Sequence, residues 1–294
     1  MPELEKWFFT YNAWSYSKHR FWGLCNRNYY YQYIGTALCN SKEFDVNKLK
    51  RLKNSLVSKY ALQGLLIHEI IEGQIRNLAH VKNIDEESLK EKYVWKVKKY
   101  QNTACETITE FFNGLPMDDS FFNQIIVDGQ NKIRIFINEI WPQIKDFEYL
   151  KHEEFDRYKI NNIEIIVKVD YVCKTKDEFI VLIDWKTGED NDAYESDLQM
   201  GIYVLWAMYQ YKKDPSLIQT KLAFLKSGTF RSFIFSYEDL EKIKTIIVND
   251  FEKMNASYEI IDFPASPDSR KCISCQFGSI CPESKMYELL EQNG

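Results

Sequence analysis

The residues best suited to chemistry in this chain fall into two groups, and the first is a set of cysteines. Cys272, Cys275 and Cys281 lie in the run KCISCQFGSICPES, a C-x2-C-x5-C array. Three thiolates do not close a four-ligand site. Zinc and [4Fe-4S] clusters ordinarily take four, so the array needs a donor from elsewhere, and Cys25 in FWGLCNRNYYYQYIG is the best placed. A metal held this way would join the two ends of the chain. The remaining three of the seven cysteines, Cys39, Cys105 and Cys173, read as ordinary small side chains.

The second group lies on two apolar runs, NIEIIVKVDYVC and EFIVLIDWKTG. Side chains alternate along a strand, so Asp184 and Lys186 face one way and Trp185 the other. Asp170 adds a second carboxylate from the preceding run. Clustered carboxylates suit Mg²⁺ or Mn²⁺, which take oxygen ligands, and a neighbouring lysine can orient the water that attacks a phosphate. Alone, a D-x-K triplet is more often a solvated ion pair at a strand end. Two amphipathic segments add to it: ALQGLLIHEIIEGQI carries His68, and DLQMGIYVLWAMYQY sets Gln199 and Tyr203 one helical turn apart. Each also has a plain reading, His68 as a core histidine and Tyr203, Trp206 and Tyr209 as core packing.

The order of these features carries more than any one of them. His68, Asp170, D-x-K-T-G, Q-x-x-x-Y and C-x2-C-x5-C, with Cys25 upstream, resemble the RecB-like, iron-sulfur branch of the PD-(D/E)XK nuclease superfamily, similar to CRISPR spacer-acquisition exonucleases and AddB-type nuclease domains. The likeness covers roughly 13–33, the His68 segment and about 150–290, and not obviously 77–148. It differs in Asn26, where a proline commonly follows the first cysteine, and in VKVD for G-x-x-D. The resemblance implies a metal-dependent deoxyribonuclease, with exonuclease action on single-stranded DNA or DNA ends. His68, Asp170, Asp184 and the Trp185 carbonyl would hold Mg²⁺ or Mn²⁺, Lys186 would position water, and Gln199 and Tyr203 would steady the site. Cys25, Cys272, Cys275 and Cys281 would hold a structural [4Fe-4S] cluster, with zinc as the alternative. A catalytically inactive nucleic-acid-binding or scaffold subunit is the second reading. No G-x-x-x-x-G-K-[ST] phosphate loop occurs, so unwinding would fall to a helicase partner, or to a partner in CRISPR or phage defence.

The 294 residues carry a formal net charge of -5, which does not favour a polyanionic ligand over the whole surface. Local basic runs do: KLKRLKNSLVSK at 48–59 and KEKYVWKVKK at 90–99, the second with Tyr93 and Trp95 as stacking candidates. MPELEKWFFTYNAW places charges where a signal sequence would be apolar, and no run reaches membrane-spanning length, so a cytoplasmic, membrane-free protein is expected.

The elements that must position these residues follow from periodicity. Helices are expected from Ser15 or Ser17 to Gly35 and over 46–78, 85–113, 121–140, 195–212 and 237–256. Strands are expected in KHEEFDRYKI, NIEIIVKVDYVC, EFIVLIDWK, TKLAFLKS and FRSFIFS. This predicts an α/β fold, a mixed central β-sheet flanked by helices. The resemblance would make it a restriction-endonuclease-like core, with an N-terminal helical region at 1–148, the core at 149–258 and a cysteine segment at 259–294, forming one compact unit. A tight turn at KTKD would set Asp170 opposite Val181, three positions or roughly 10 Å from Asp184. A shared metal therefore requires a bulge or shifted register. Glu153 or Glu154 could add a further oxygen.

Overall fold

EFIVLIDWK lies at the centre of the sheet because it is apolar on both faces. A strand covered on both sides reads as a continuous hydrophobic run, and in the computed structural model Ile180–Trp185 are all buried. The structure describes residues 13–77, 84–188 and 196–292. Residues 1–12, and the far ends of the helices expected over 46–78 and 195–212, lie outside them.

After a short strand, Ala13–Ser15, the α-helices of more than four residues ahead of the main strands are α1 (Tyr16–Leu24), α2 (Val46–Ser55), α3 (Lys59–Asn77), α4 (Glu86–Asn102) and α5 (Asp119–Ile135). Strands β1 (Glu148–Lys151), β2 (Phe155–Ile160), β3 (Ile163–Lys168), β4 (Tyr171–Lys174) and β5 (Ile180–Lys186) follow. Helix α6 (Ser196–Tyr211), β6 (Ile218–Phe224), β7 (Thr229–Phe233), α7 (Tyr237–Met254), α8 (Ser269–Ile273) and α9 (Met286–Gln292) complete the order. The main sheet has the order β1-β4-β5-β6-β7. Only β5 and β6 run parallel among its pairs, with α6 as the connection that a parallel pair requires. The mixed sheet with helices is the α/β architecture expected.

The described residues fall into two compact units. One takes in those of Met1–Leu62, Lys98–Asp119 and Asp250–Gly294, the other Gln63–Val97 and Ser120–Asn249. The cysteines belong to the first, the carboxylates with His68 to the second.

Several expected elements are interrupted. The helical tracts 46–78 and 85–113 break where Val57 and Ile108 form a parallel bridge. The Val57 N–H donates to the Thr107 carbonyl, and Thr109 N–H donates back to Val57, both at 2.9 Å. β-branched residues favour this extended geometry over continuing a helix. Helix α2 instead starts cleanly, because Asp45 accepts from the N–H groups of Asn47 and Lys48. Ser15 caps α1 in the same way through Lys18 N–H.

KHEEFDRYKI and NIEIIVKVDYVC are each split in two. Together they form one long antiparallel ladder that breaks at the same level on both sides. Beyond the break β2 and β3 pair with each other, while β1 and β4 join the main sheet. Glu153 sits at the break with φ 49, and its N–H donates to Val169 O at 2.9 Å. The Asn-Asn turn forms as expected, with Asn161 at φ 53, a conformation asparagine tolerates.

The β4–β5 register corrects the expectation of a tight KTKD turn. Tyr171 pairs with Ile183 and Lys174 with Ile180, so the connection is Thr175–Phe179. Thr175 N–H donates to Phe179 O, the Thr175 hydroxyl accepts from Phe179 N–H, and Glu178 takes the positive φ of 65. Carried on one place, this register sets Asp170 against Asp184 with no bulge between them. The irregularity lies between Tyr149 and Lys151 on β1.

Helix α6 is drawn against α7 by Gly201, where a Cβ would lie 2.0 Å from Ile243 Cδ1. Tyr203 and Trp206 on α6 are core, as their periodicity suggests, but Tyr209 is 51% exposed.

Candidate metal and catalytic site

The two ladders place three carboxylates in a row. β2–β3 pairs Phe155 with Lys168, and two further places along it set Glu153 against Asp170. β4–β5 then sets Asp170 against Asp184. Helix α3 brings His68 to this row. Its Nδ1 lies 3.5 Å from Asp170 Oδ2 and 3.6 Å from Glu153 Oε1, and its Nε2 lies 3.0 Å from the Trp185 carbonyl oxygen. With Nε2–H donating to that carbonyl, Nδ1 is the atom aimed at the acids.

Each acid has its own partners. Asp170 Oδ2 accepts from Trp185 N–H at 2.8 Å. Asp184 Oδ2 pairs with Lys186 Nζ at 2.6 Å, while its Oδ1 accepts from Gln199 Nε2 at 2.9 Å. The Tyr203 hydroxyl lies 3.0 Å from both Asp184 Oδ1 and Lys168 O, so its one proton serves either. Gln199 also receives Lys186 Nζ at 3.1 Å on Oε1 and donates to the Tyr203 oxygen at 2.8 Å. Glu153 Oε2 pairs with Lys168, but its Oε1 is buried without a hydrogen bond. A buried, unsatisfied carboxylate oxygen is costly unless a cation or proton completes it.

The titration of these groups reflects the crowding. Burial raises Asp170 to about 6, Asp184 adds to the rise, and His68 opposes it. Burial alone would lower His68, but Asp170, with Glu153 and Asp184, outweighs it and holds the imidazole well above its ordinary value. Burial would raise Glu153, but His68 and Lys168 bring it below the usual range. A proton on His68 Nδ1 thus sits where a cation would, and the site is built for positive charge.

Among the described residues, His68, Glu153 and Asp170 are a three-donor set whose ligating atoms all lie within 4.8 Å of one another. This mixed nitrogen and oxygen set fits Mg²⁺ or Mn²⁺. Of the residues named from sequence, His68 and Asp170 belong to it. Asp184 stands next in the row with both oxygens engaged, and the Trp185 carbonyl already accepts from His68. Glu153, not Glu154, enters; Glu154 is 70% exposed and pairs with Lys151. Lys168 was not anticipated, and a lysine beside an apolar strand end gives no distinguishing signal.

The four cysteines named from sequence line one cavity with Tyr31 and Phe277. Cys25 ends α1, Cys272 lies in α8, which Asp268 caps, and Cys275 and Cys281 follow in turns. Gly278 permits the fold-back, since a Cβ there would meet Cys272 O at 2.4 Å. Burial pushes Cys275 up to about 12, and Cys25, Cys281 and Cys272 add to this. Burial likewise pushes Cys281 up to about 11. Against this, N–H groups of Phe277 and Glu283 bond the sulfurs of Cys275 and Cys281, and Ser266 N–H lies 3.4 Å from Cys25 Sγ. Such donors stabilise thiolates. The donor set therefore fits a thiolate-bound metal.

Cysteine-independent contacts also hold this segment. Arg27 donates to Phe263 O at 2.9 Å and to both Glu283 oxygens. Asn113 Nδ2 donates to Ile273 O at 2.8 Å and Cys275 O at 3.0 Å. Gln276 Nε2 reaches Lys53 O and Leu56 O.

Among solved structures, a candidate exonuclease from Eubacterium rectale is similar over 85% of this chain and 84% of its own, at 9% identity and a TM-score of 0.44. The protein SSO0001 is similar over 75% and 96%, at 14% identity and a TM-score of 0.31. No curated protein matches at a significant level. The model of the PD-(D/E)XK nuclease superfamily matches residues 13–282, which includes the stretch 77–148 that the sequence resemblance did not reach. The chain belongs to the PD-(D/E)XK nuclease superfamily.

Proposed function

We propose that this protein is a metal-dependent deoxyribonuclease of the RecB-like, iron-sulfur branch, acting as an exonuclease on single-stranded DNA or DNA ends. The observation that carries this reading is the row Glu153–Asp170–Asp184 with His68 against one end and Lys186 at the other. A bound Mg²⁺ or Mn²⁺ would supply Lewis acidity to the scissile phosphate. His68, Glu153 and Asp170 would hold it, with Asp184 and the Trp185 carbonyl alongside. Lys186, 2.6 Å from Asp184, would orient the attacking water and offset the charge that develops on the phosphate. Gln199 and Tyr203 would fix Asp184 and Lys186 in place. No helix among the described residues is long and apolar enough to cross a membrane.

In the same reading, Cys25, Cys272, Cys275 and Cys281 hold a structural [4Fe-4S] cluster. Zinc would draw the sulfurs to roughly 3.8 Å from one another, given Zn–S bonds of about 2.3 Å in a tetrahedron. Visible absorption tells the two apart, since Zn²⁺ is d¹⁰ and colourless whereas an iron-sulfur cluster is coloured. The test of function is digestion of end-labelled single-stranded and duplex DNA with Mg²⁺, Mn²⁺ or EDTA. Metal-dependent release of short products from an end is expected; intact DNA under all conditions would overturn the proposal.

A further inference from the structure

The two basic runs in this acidic chain have different fates. In α4 two of the five lysines of the run are paired with acids of the protein. Lys90 pairs with Glu86 and Glu87, and Lys96 with Glu69 at 2.6 Å. Tyr93, a stacking candidate by sequence, is fully buried with its hydroxyl on Ile125 O at 2.7 Å. Only Trp95, 62% exposed, keeps the surface position its sequence suggests.

Helix α2 is the reverse. Val46, Leu49 and Leu52 are buried, and Lys48, Arg51 and Lys50 are exposed around the rest of the helix surface, Arg51 lying between the other two. None of the three makes an ion pair among the described residues. Asp45, the nearest acid in sequence, is engaged at 2.9 and 3.2 Å by the N–H groups it caps. Beyond α2, at the second residue of α3, Tyr60 is 86% exposed. Lys48 and Arg51, three residues apart, are neighbours on the helix surface, and unpaired like charges so placed cost stability that a neighbouring acid would relieve. The protein supplies such acids to α4 and not to α2.

We propose that the outer face of α2, through Lys48, Lys50 and Arg51, is a docking surface for the phosphodiester backbone of a nucleic-acid strand, with Tyr60 as a stacking platform beside it. This rests on the nuclease reading and adds a strand-holding surface carried by the unit that does not contain the carboxylates. Cations contact phosphates without regard to sequence, and an exposed aromatic ring stacks on any base. That combination suits an unpaired strand. A membrane is the poorer fit, because the apolar side of α2 is already buried and has nothing to insert.

The test is binding in EDTA, so that affinity is read apart from cleavage. Fluorescently labelled single-stranded DNA, the same sequence as RNA, duplex DNA and anionic lipid vesicles are titrated with the full chain over a range of salt. The triple variant Lys48→Glu, Lys50→Glu and Arg51→Glu should bind single strands at least tenfold more weakly at low salt. Its slope of log affinity against log salt should shrink by roughly two, from about 0.7 per lost phosphate contact on a single strand. Cleavage at saturating substrate should be unchanged. Tyr60→Ala should weaken single strands more than duplex, and Lys90→Ala with Lys96→Ala should leave the slope as it was. A wild-type slope in the triple variant would overturn the docking surface and leave the nuclease reading standing, as would preference for vesicles. Absence of both binding and metal-dependent cleavage in the wild type would overturn both. DNA-over-RNA or RNA-over-DNA preference would name which strand the surface serves, either result supporting it if the triple variant abolishes the binding.

Discussion

The carboxylate row and the cysteine quartet each gather groups that repel one another when ionised, and they contain that repulsion in opposite ways. The row is charged and balanced from within: His68 faces Asp170 and Glu153, Lys168 pairs with Glu153, and Lys186 with Asp184. The quartet has no such counter-charges on most of its sulfurs. Burial favours the neutral thiols of Cys275 and Cys281, pushed up to about 12 and about 11. The first region is thus shaped before any metal arrives, while in the second a bound metal would have to displace the protons of Cys275 and Cys281. A site that exchanges ions during turnover needs the first arrangement, and a permanent clasp tolerates the second.

The largest effect expected is at the quartet. Cys25→Ser should remove the visible absorption as completely as Cys275→Ser, whereas Cys39→Ser, Cys105→Ser and Cys173→Ser should leave it. Full absorption in Cys25→Ser would separate Cys25 from the site. Limited proteolysis reads the fastening directly. Arg27, Asn113 and Gln276 hold the segment by direct hydrogen bonds. Cys25→Ser alone should therefore leave it only partly protease-sensitive, and adding Arg27→Ala should release it.

At the row, Lys186→Ala should lower cleavage by about a hundred- to a thousandfold, the scale of losing one charge-stabilising donor. A rate within twofold of wild type would remove the lysine from the chemistry.

The two regions should also differ in pH response. Asp170, raised to about 6, and His68, held well above its ordinary value, both carry protons in acid. Each proton opposes a cation, so cleavage should fall as pH drops below about 6 and rise above it as these groups deprotonate. Metal loading of the quartet should release protons and depend on pH well above that range, because Cys275 and Cys281 titrate high. A flat cleavage profile from pH 5 to 8 would contradict the assigned cation site.

The smallest effects belong to the supporting groups. Gln199→Ala or Tyr203→Phe leaves Asp184 with its Lys186 partner and one donor fewer, and roughly tenfold loss of rate is expected. Loss equal to that of Lys186→Ala would mean that they touch the substrate.

Much of this was legible in the sequence, for reasons that can be named. Asp184 and Lys186 sit on a strand whose apolar run admits little ambiguity, and strand alternation alone places them on one face. Gln199 and Tyr203 follow from helical spacing. What was not legible lay where the chain changes direction. Glu153 could not be told from Glu154, because the choice depends on a backbone break with φ 49 at the edge between two ladders. The register of Asp170 against Asp184 depends on Thr175 and Glu178 shaping a longer turn than KTKD suggested. Tyr93 and Trp95 alternate in sequence as alike stacking candidates, and only tertiary packing buries one of them.

In the proposed function the two regions do separate work, chemistry at the carboxylates and fastening at the cysteines. One preparation of Asp184→Asn, measured for both metal-dependent DNA cleavage and visible absorption, tests this most directly. The expected result is cleavage reduced by at least about a thousandfold with the wild-type absorption retained. Cleavage at the wild-type rate, or loss of the absorption along with it, would contradict the account.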